Sequence, residues 1–326
     1  MNPTTSLQAG THIDERVAEA VREGLRSRPR RLPPWLFYDE AGSRLFEEIT
    51  ELPEYYLTRT ERGIFAAHAA EMLTEAAGDE RLRIAELGAG SADKTRLLLA
   101  AAVERQGNVL YEPVDVSASA LAAAKRRIER EIAGATVSAQ HLDYTQGLKL
   151  EPAGTGERRL VLYIGSSIGN FDPHEAKRLL EGVRSGLKPG DGLLLGVDLA
   201  KDEATLLAAY NDAAGVTAKF NRNMLARLNR DLEGDFDPDA FEHRAIWNEV
   251  ESRIEMHLES RIAQRVRLTA LDFEVEFAAG ETIHTENSYK YKSGHAEAML
   301  AESGFVPAAS WTDERGWFAV CLGKAS

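Results

Sequence analysis

The chain contains a glycine-rich turn between a short apolar run and a helical pattern. Gly88 and Gly90 allow a ligand to approach the backbone, since neither residue carries a Cβ, and Ser91 is placed to cap the helix that follows. Asp93 stands where a dinucleotide-binding turn has its third glycine, which argues against a bound pyrophosphate. Glu86 before the turn and Asp93 within it favour a cationic ligand without phosphate, such as S-adenosylmethionine (SAM).

Two further acids follow apolar runs in the same way. Asp115 ends the run 109–114, where the second strand of a doubly wound sheet presents an acid to ribose hydroxyls. We choose Asp115 over Glu112, because Glu112 precedes a proline within the strand. Asp143 is suited to accept from an adenine amino group, and Tyr144 to pack on the ring. Three loops in succession thus begin with an acidic residue after an apolar run, and this pattern predicts a nucleotide-type site.

Composition and charge exclude several classes of protein. A length of 326 residues is typical of about two domains. The net charge of −13 disfavours nucleic acid and anionic membranes as partners. Cys321 is the single cysteine, which excludes an internal disulfide and indicates a cytoplasmic protein. We expect neither export nor a membrane span, because there is no signal-peptide pattern and no long apolar run.

The histidines are scattered along the chain, and no pair has the spacing of a zinc site. We therefore expect no metal.

The periodicity of the chain predicts an α/β fold. A polar, helical N-terminal segment and an aromatic-rich stretch precede a helix over 60–77. Strands and helices then alternate, at 82–87, 91–104, 108–114, 118–131, 136–139, 160–164, 174–187 and 192–198. This alternation predicts a parallel sheet with right-handed crossovers.

The pattern changes after Asp198. Residues 202–230 are helical in pattern, whereas 253–259 and 272–277 alternate with a period of two, which indicates half-buried antiparallel strands. A short helix at 294–303 and a hairpin of 308–312 with 317–322 complete the prediction. Residues 200–288 are then an insertion that interrupts the parallel sheet.

Several segments resemble the SAM-dependent histidine Nα-methyltransferases of ergothioneine biosynthesis, from about Leu32 to Lys324. They are 37–43 (FYDEAGS), 52–61 (LPEYYLTRTE), 86–91 (ELGAGS), 163–171 (YIGSSIGNF), 210–212 (YND), 220–221 (FN), 253–256 (RIEM) and 285–288 (TENS). The glycine motif is generic, but the others are specific together.

The resemblance implies a class I (Rossmann-like) SAM methyltransferase domain, residues 61–200 with 289–326. A second, substrate-binding α+β domain would comprise 1–60 with 201–288. It further implies a cytoplasmic, monomeric enzyme that transfers three methyl groups to the α-amino group of L-histidine, as the first step of ergothioneine biosynthesis.

The resemblance also implies the roles of individual residues. SAM contacts would come from Gly88, Lys94, Asp115, Asp143 and Tyr144. The substrate carboxylate and amine region would be held by Asn170 and Tyr210, and the imidazole by Tyr56, Glu286 and Ser288. Tyr38 would lie near the amine through water, Met256 beside the imidazole and Phe46 in the pocket lid. Tyr38 and Asn170 are the candidate catalytic residues.

The residue types suit this chemistry. Glu286 and Ser288 are two apart in a predicted strand, so both side chains leave the same face and can bracket an imidazole nitrogen. His284 would share that face, and we interpret it as structural. Methyl transfer needs a neutral amine, and we expect the proton to pass to water that Tyr38 orients.

Three alternatives remain. One is an amine methyltransferase for an indole amino acid, against which Glu286 and Met256 argue because indole is larger. A second is a non-catalytic SAM-binding or amino-acid-binding regulator, for which the intact motif at 169–171 would be unnecessary. The third is a nicotinamide oxidoreductase, which the missing third glycine disfavours.

Overall fold

The computed structural model describes residues 14–90, 92–147 and 154–326. Its strands are β1 (Arg30–Arg31), β2 (Arg81–Leu87), β3 (Val109–Asp115), β4 (Ala135–Val137), β5 (Gln140–His141), β6 (Glu157–Tyr163), β7 (Gly192–Asp198), β8 (Phe241–Asn248), β9 (Arg253–Ser260), β10 (Gln264–Leu268), β11 (Phe273–Phe277), β12 (Thr282–Tyr289), β13 (Phe305–Thr312) and β14 (Phe318–Ala325).

The helices alternate with these strands along the first part of the chain. They are α1 (Glu15–Arg26), α2 (Glu40–Thr50), α3 (Tyr56–Ala77), α4 (Thr95–Gln106), α5 (Ala118–Glu131), α6 (Pro173–Ser185), α7 (Glu203–Tyr210), α8 (Val216–Leu232) and α9 (His295–Glu302). Among the described residues, no helix is both long enough and apolar enough to cross a membrane.

The larger sheet has eight strands, in the order β13-β14-β7-β6-β2-β3-β4, with β5 also paired to β3. Strands β2 to β7 are parallel where they pair, whereas β14 is antiparallel to both β7 and β13. Strand β7 has every residue buried, as expected of a strand covered on both faces. This is the parallel sheet with a terminal antiparallel hairpin that the sequence pattern predicted.

A second sheet has four strands, in the order β1-β12-β9-β8. One of its faces packs on α7 and α8, and a separate hydrophobic core of residues from the N-terminal 57 and from 206–283 lies there. The strict burial alternation of β9 follows from this arrangement, because only one face meets the core. The two-stranded sheet β10-β11 extends the same region.

The two sheets are joined by backbone just beyond β12. The amide of Tyr291 donates to the carbonyl of Asp198 at 2.9 Å, and the amide of Ala200 donates to the carbonyl of Tyr291 at 2.8 Å. The chain that leaves the smaller sheet is therefore fastened to the carboxyl end of β7 within two residues of β12.

Several element boundaries differ from the predictions. Helix α4 begins at Thr95 rather than 91, and Ser91, the predicted cap, lies outside the described residues. The helical pattern at 202–230 is two helices, because Asn211 and Gly215 interrupt it. Strands β8 and β10 were missed, since neither has a clear alternation that spans its whole length.

Candidate functional site

The glycine-rich turn lies at the carboxyl ends of β2 and β3. Gly88 and Gly90 have φ angles of 69° and 50°, a left-handed conformation that glycine adopts without steric cost. The amide of Gly90 donates to Asp115 Oδ2 at 3.0 Å, and the amide of Ser117 donates to Oδ1 at 2.8 Å. Burial raises the pKa of Asp115, although these backbone donors oppose the rise. The carboxylate is thereby fixed at the edge of the turn.

Asp143 and Tyr144 lie beside this turn. A Cβ on Gly88 would lie 3.5 Å from the Tyr144 hydroxyl, and burial raises the pKa of that phenol to about 12. Asp143 accepts from the amide of Thr145 at 3.0 Å and forms an ion pair with Arg16 of α1. The predicted adenine residues therefore lie next to the glycine turn, and Asp143 already has a cationic neighbour.

Lys94 is the residue that precedes α4. Its ammonium forms an ion pair with Glu61, a fully buried acid of α3. Glu61 also accepts from the amide of Gly165 at 2.9 Å. A ligand carboxylate at Lys94 would therefore share this lysine with Glu61, which the sequence analysis did not anticipate.

The two acids that were expected to favour a cationic ligand have partners within the fold. Glu86 accepts from Thr95 Oγ1 at 2.7 Å and from the Tyr111 hydroxyl, and burial raises its pKa to about 7. Asp93 pairs with Arg127 at 2.7 Å. Both acids therefore also stabilise the strand–turn–helix corner, and their preference for a cationic ligand stays a prediction.

Glu286 is a buried carboxylate in the middle of β12. It lies opposite Met256 of β9, and only 8% of its surface is exposed. Within the described residues its carboxylate accepts no hydrogen bond. Burial raises its pKa to about 8, against an opposing effect of the Lys290 ammonium. A buried acceptor without a donor is costly, so this site is suited to a ligand that brings an N–H group.

A β-bulge at Thr285 sets the direction of Glu286. His284 pairs with His257 and Glu286 pairs with Met256, so the register shifts by one residue between them. The expectation that His284 shares a face with Glu286 was therefore wrong, because the bulge turns the two side chains to opposite faces of the sheet. His284 instead contacts Asn287 Oδ1 at 2.9 Å on the outer face.

Ser288 and Tyr210 meet on the same face as Glu286. Their hydroxyl oxygens are 2.7 Å apart. Asn170 ends a short 3-10 helix that packs against β12, since a Cβ on Gly169 would lie 3.0 Å from the carbonyl oxygen of Tyr289. The Asn170 side chain has no hydrogen-bond partner among the residues that the structure describes. Its amide is therefore available to a ligand.

Tyr56, a predicted imidazole contact, has other partners. Its hydroxyl donates to Asp198 Oδ2 at 2.7 Å and accepts from the Lys201 ammonium at 2.7 Å. Lys290 also reaches Asp198 Oδ2, at 2.8 Å. Asp198, Lys201 and Lys290 were not predicted from the sequence. A signal was present for Lys290 alone, because its spacing from Glu286 and Ser288 continues a period of two.

Aromatic rings close one side of the site. Tyr38 and Phe46 pack edge to face with centroids 5.7 Å apart, and Phe46 lies 6.2 Å from Tyr55 and 5.9 Å from Phe220. Tyr38 is half-buried. Burial raises its pKa well above the usual value, and Glu286, Tyr144 and Asp115 add to the rise. Tyr38 is thus close enough to interact electrostatically both with Glu286 and with Asp115 at the glycine-rich turn.

A separate cluster lies on the outer face of the smaller sheet. Glu255, His257 and His284 each offer one ligand atom, and these atoms lie within 4.8 Å of one another. Glu255 Oε1 already accepts from Arg253 at 2.7 Å and from Asn248 at 2.9 Å. The Arg253 guanidinium therefore already supplies a counter-charge to this carboxylate, and the absence of a metal stays a prediction.

Comparison with known proteins gives consistent matches. A family model described as histidine-specific, SAM-dependent methyltransferase matches residues 17–325. The chain is 47% identical over 309 residues to histidine N-alpha-methyltransferase of Mycolicibacterium smegmatis, covering 94% of each protein. It is 46% identical over 302 residues to the protein of that name from Mycobacterium tuberculosis, covering 93% of this chain and 92% of that one. Ergothioneine biosynthesis protein 1 of Neurospora crassa is 31% identical over 308 residues, which cover 87% of this chain and 32% of that protein.

Proposed function

Because the chain belongs to the family of SAM-dependent, histidine-specific methyltransferases, we propose that it transfers three methyl groups from SAM to the α-amino group of L-histidine. The product is then histidine betaine, at the first step of ergothioneine biosynthesis. The observation that carries this proposal is Glu286, a buried carboxylate that has no hydrogen-bond donor among the described residues, on a face that it shares with Ser288. An imidazole N–H is a donor of the size and kind that this acid lacks.

The substrate is held at both ends in this proposal. Glu286 accepts from the imidazole, Met256 packs beside the ring and Ser288 binds a ring nitrogen. Asn170 and Tyr210 hold the carboxylate and the amine region. Specificity follows because an analogue without the ring N–H would leave the buried carboxylate unpaired. The Tyr56 hydroxyl already bonds to Asp198 and Lys201. A direct hydrogen bond from Tyr56 to the imidazole therefore requires that it give up its bond to Asp198.

SAM occupies the carboxyl ends of β2 and β3 in this proposal. Asp115 accepts from the ribose hydroxyls, Asp143 and Tyr144 bind the adenine, and Gly88 admits the ligand to the backbone. Lys94 pairs with the ligand carboxylate while it retains Glu61. The fit is supported by the left-handed turn and by the two backbone donors that fix Asp115.

When bound, SAM would supply a sulfonium methyl group: the lone pair of the amine would attack the methyl carbon in line, and the sulfur would leave as the thioether of S-adenosylhomocysteine. The ammonium of the substrate must first lose a proton, since chain α-amino groups titrate near about 7.7–8.0 and a free amino acid is more basic. Tyr38 stays protonated because burial and Glu286 raise its pKa. Its role is therefore to orient a water molecule that takes the proton, and not to act as the base itself. Phe46, which packs edge to face on Tyr38, then belongs to the pocket lid.

We further propose two domains, 61–200 with 289–326 for SAM and 1–60 with 201–288 for the substrate. The division is supported by the sheets, since β2 to β7, β13 and β14 belong to the first set of residues. The strands of the smaller sheet belong to the second set, apart from Tyr289 at the end of β12. Monomeric state and cytoplasmic location stay predictions.

The decisive experiment is incubation of the protein with SAM and each amino acid in turn, followed by mass spectrometry. We expect histidine to gain three methyl groups, all on the α-nitrogen, because each methylation leaves the ring and carboxylate contacts untouched. Histidine methyl ester is the matched control, since it keeps the ring but lacks the carboxylate that Asn170 and Tyr210 would hold. Ring-methylated histidine, or a stop at one methyl group under excess SAM, would contradict the proposal.

A further inference from the structure

Lys290 is a buried lysine whose three N–H groups are all used. Its side chain has no exposed surface, and it follows β12 directly. The ammonium lies 2.8 Å from Asp198 Oδ2 and donates to the hydroxyls of Tyr210 and Ser288, each at 2.8 Å. A buried charge persists only when it is paired and hydrogen-bonded. Both hydroxyls that the proposed function assigns to the substrate are therefore held by one cation.

Asp198 forms ion pairs with two lysines. Besides Lys290 it binds Lys201, whose ammonium lies 2.6 Å from Oδ1, and it accepts from the Tyr56 hydroxyl at 2.7 Å. We call Tyr56, Asp198, Lys201, Tyr210, Ser288 and Lys290 the Asp198 cluster. Two lysines against one carboxylate leave a single excess positive charge. On this face the Lys290 charge also favours the carboxylate form of Glu286, in opposition to burial, which raises the pKa of Glu286 to about 8.

The hydrogen-bond directions within the cluster follow from counting protons. An ammonium only donates, so Tyr210 and Ser288 must each accept from Lys290. The two hydroxyls also bond to one another, which uses one of their two protons. The other proton has no acceptor inside the pair. It is therefore directed away from Lys290, and the pair can present one donor to a ligand.

We propose that Lys290 is a positioning residue, which makes the Tyr210–Ser288 pair a hydrogen-bond donor to the substrate and keeps Glu286 as an acceptor. The inference rests on the proposed function, because it assumes that histidine lies between these groups. Lys290 touches no reacting atom in this arrangement. Its effect is on substrate affinity and on the pH at which the substrate binds.

The test compares Lys290→Met with Lys292→Met, a change of the same kind at an exposed lysine two residues away. Calorimetry gives the Kd of SAM and of histidine, and kinetics give KM and kcat between pH 6 and 9. We expect Lys290→Met to bind SAM as the wild type does and to bind histidine about 10- to 100-fold more weakly. Lys292→Met should match the wild type throughout.

The pH profile separates positioning from a structural effect. Loss of the Lys290 charge makes the Glu286 carboxylate harder to form. As the pH is lowered, Glu286 should therefore become protonated, and histidine affinity should begin to fall, at a higher pH than in the wild type. A Lys290→Met protein that binds SAM normally, with unchanged histidine Kd and pH profile, would overturn the inference. If the wild type neither binds nor methylates histidine, the proposed function fails first, and the parallel wild-type series shows which of the two has failed.

Lys290→Arg tests the positioning role if the Lys290→Met protein does not fold. The guanidinium keeps the charge, but its planar fork does not reproduce the three contacts of an ammonium. We expect the wild-type pH profile, a raised KM for histidine and a kcat that changes little. A wild-type KM in this variant would overturn the positioning role.

Discussion

The backbone amide of Gly90 donates a hydrogen bond of 3.0 Å to Asp115 Oδ2, which connects the glycine-rich turn to the end of the neighbouring strand. The acid that is proposed to hold ribose is thus aligned by the same turn that admits the ligand. Glu112, the other candidate in this strand, pairs with Arg159 at 3.1 Å and with Arg83 at 3.3 Å. The charge of Glu112 is therefore already paired within the protein.

Asp115→Ala should weaken SAM binding by about 2–3 kcal/mol, because two charge-assisted hydrogen bonds to ribose are lost. Isothermal calorimetry measures the change directly. Asp79→Ala is the matched control, since Asp79 is exposed and precedes the amino end of β2, whereas the turn follows the carboxyl end of that strand. An unchanged affinity in Asp115→Ala would remove Asp115 from the ribose role.

Glu286→Ala should reduce histidine turnover chiefly through a higher KM, because the change removes the acceptor and leaves space beside Met256. The same space should increase the tolerance for bulkier aromatic amino acids. Competition assays with histidine and tryptophan measure both effects, and Glu249→Ala on the exposed turn after β8 is the control. If the kinetics with histidine barely change, another residue binds the imidazole, and Ser288 is the next to test.

Glu286 should also make the stability of the ligand-free protein depend on pH. Its pKa is raised to about 8 in the folded state, so the folded protein holds this proton more tightly than the unfolded chain does. The free energy of unfolding should therefore decrease as the pH rises from about 4.5 to 8 and then level off. Glu286→Gln removes this contribution, so the variant should gain stability relative to the wild type over the same range.

Urea unfolding at a series of pH values measures that difference. Glu249→Gln, which neutralises an exposed acid, should follow the wild-type curve. Parallel curves for Glu286→Gln and the wild type would show that Glu286 ionises normally in the folded protein, contrary to this account.

Gly196→Ala should destabilise the protein by about 1–3 kcal/mol through overpacking. A Cβ on Gly196 would lie 2.2 Å from Glu61 Oε1 and 3.3 Å from the Cα of Ile164. Glu61 would have to move, and its ion pair with Lys94 would move with it, so SAM affinity should fall as well. Gly182→Ala is the control: no atom lies within 4 Å of its Cβ, and it should be neutral or slightly stabilising. Equal stability of the two variants would contradict the prediction.

Local signals made much of the fold predictable. The positions of Gly88 and Asp115 follow from apolar runs that end in a turn or an acid, and both patterns are complete within a few residues. The bulge at Thr285 depends on the register with β9, which no short segment specifies, and so His284 was assigned to the wrong face. Lys290 was missed because its role arises only where the end of β12 meets β7.

The joint between the two sheets limits how far the substrate face can lie from the larger sheet. Ser288 lies at the substrate face, and Tyr291 is fastened to the end of β7 by two backbone hydrogen bonds. Three residues of extended chain span at most about 10 Å. The separation between the substrate face at Ser288 and the carboxyl end of β7 is thus limited by a count of residues. A residue inserted between Ser288 and Tyr291 would therefore change how far the smaller sheet lies from the larger one at the substrate face.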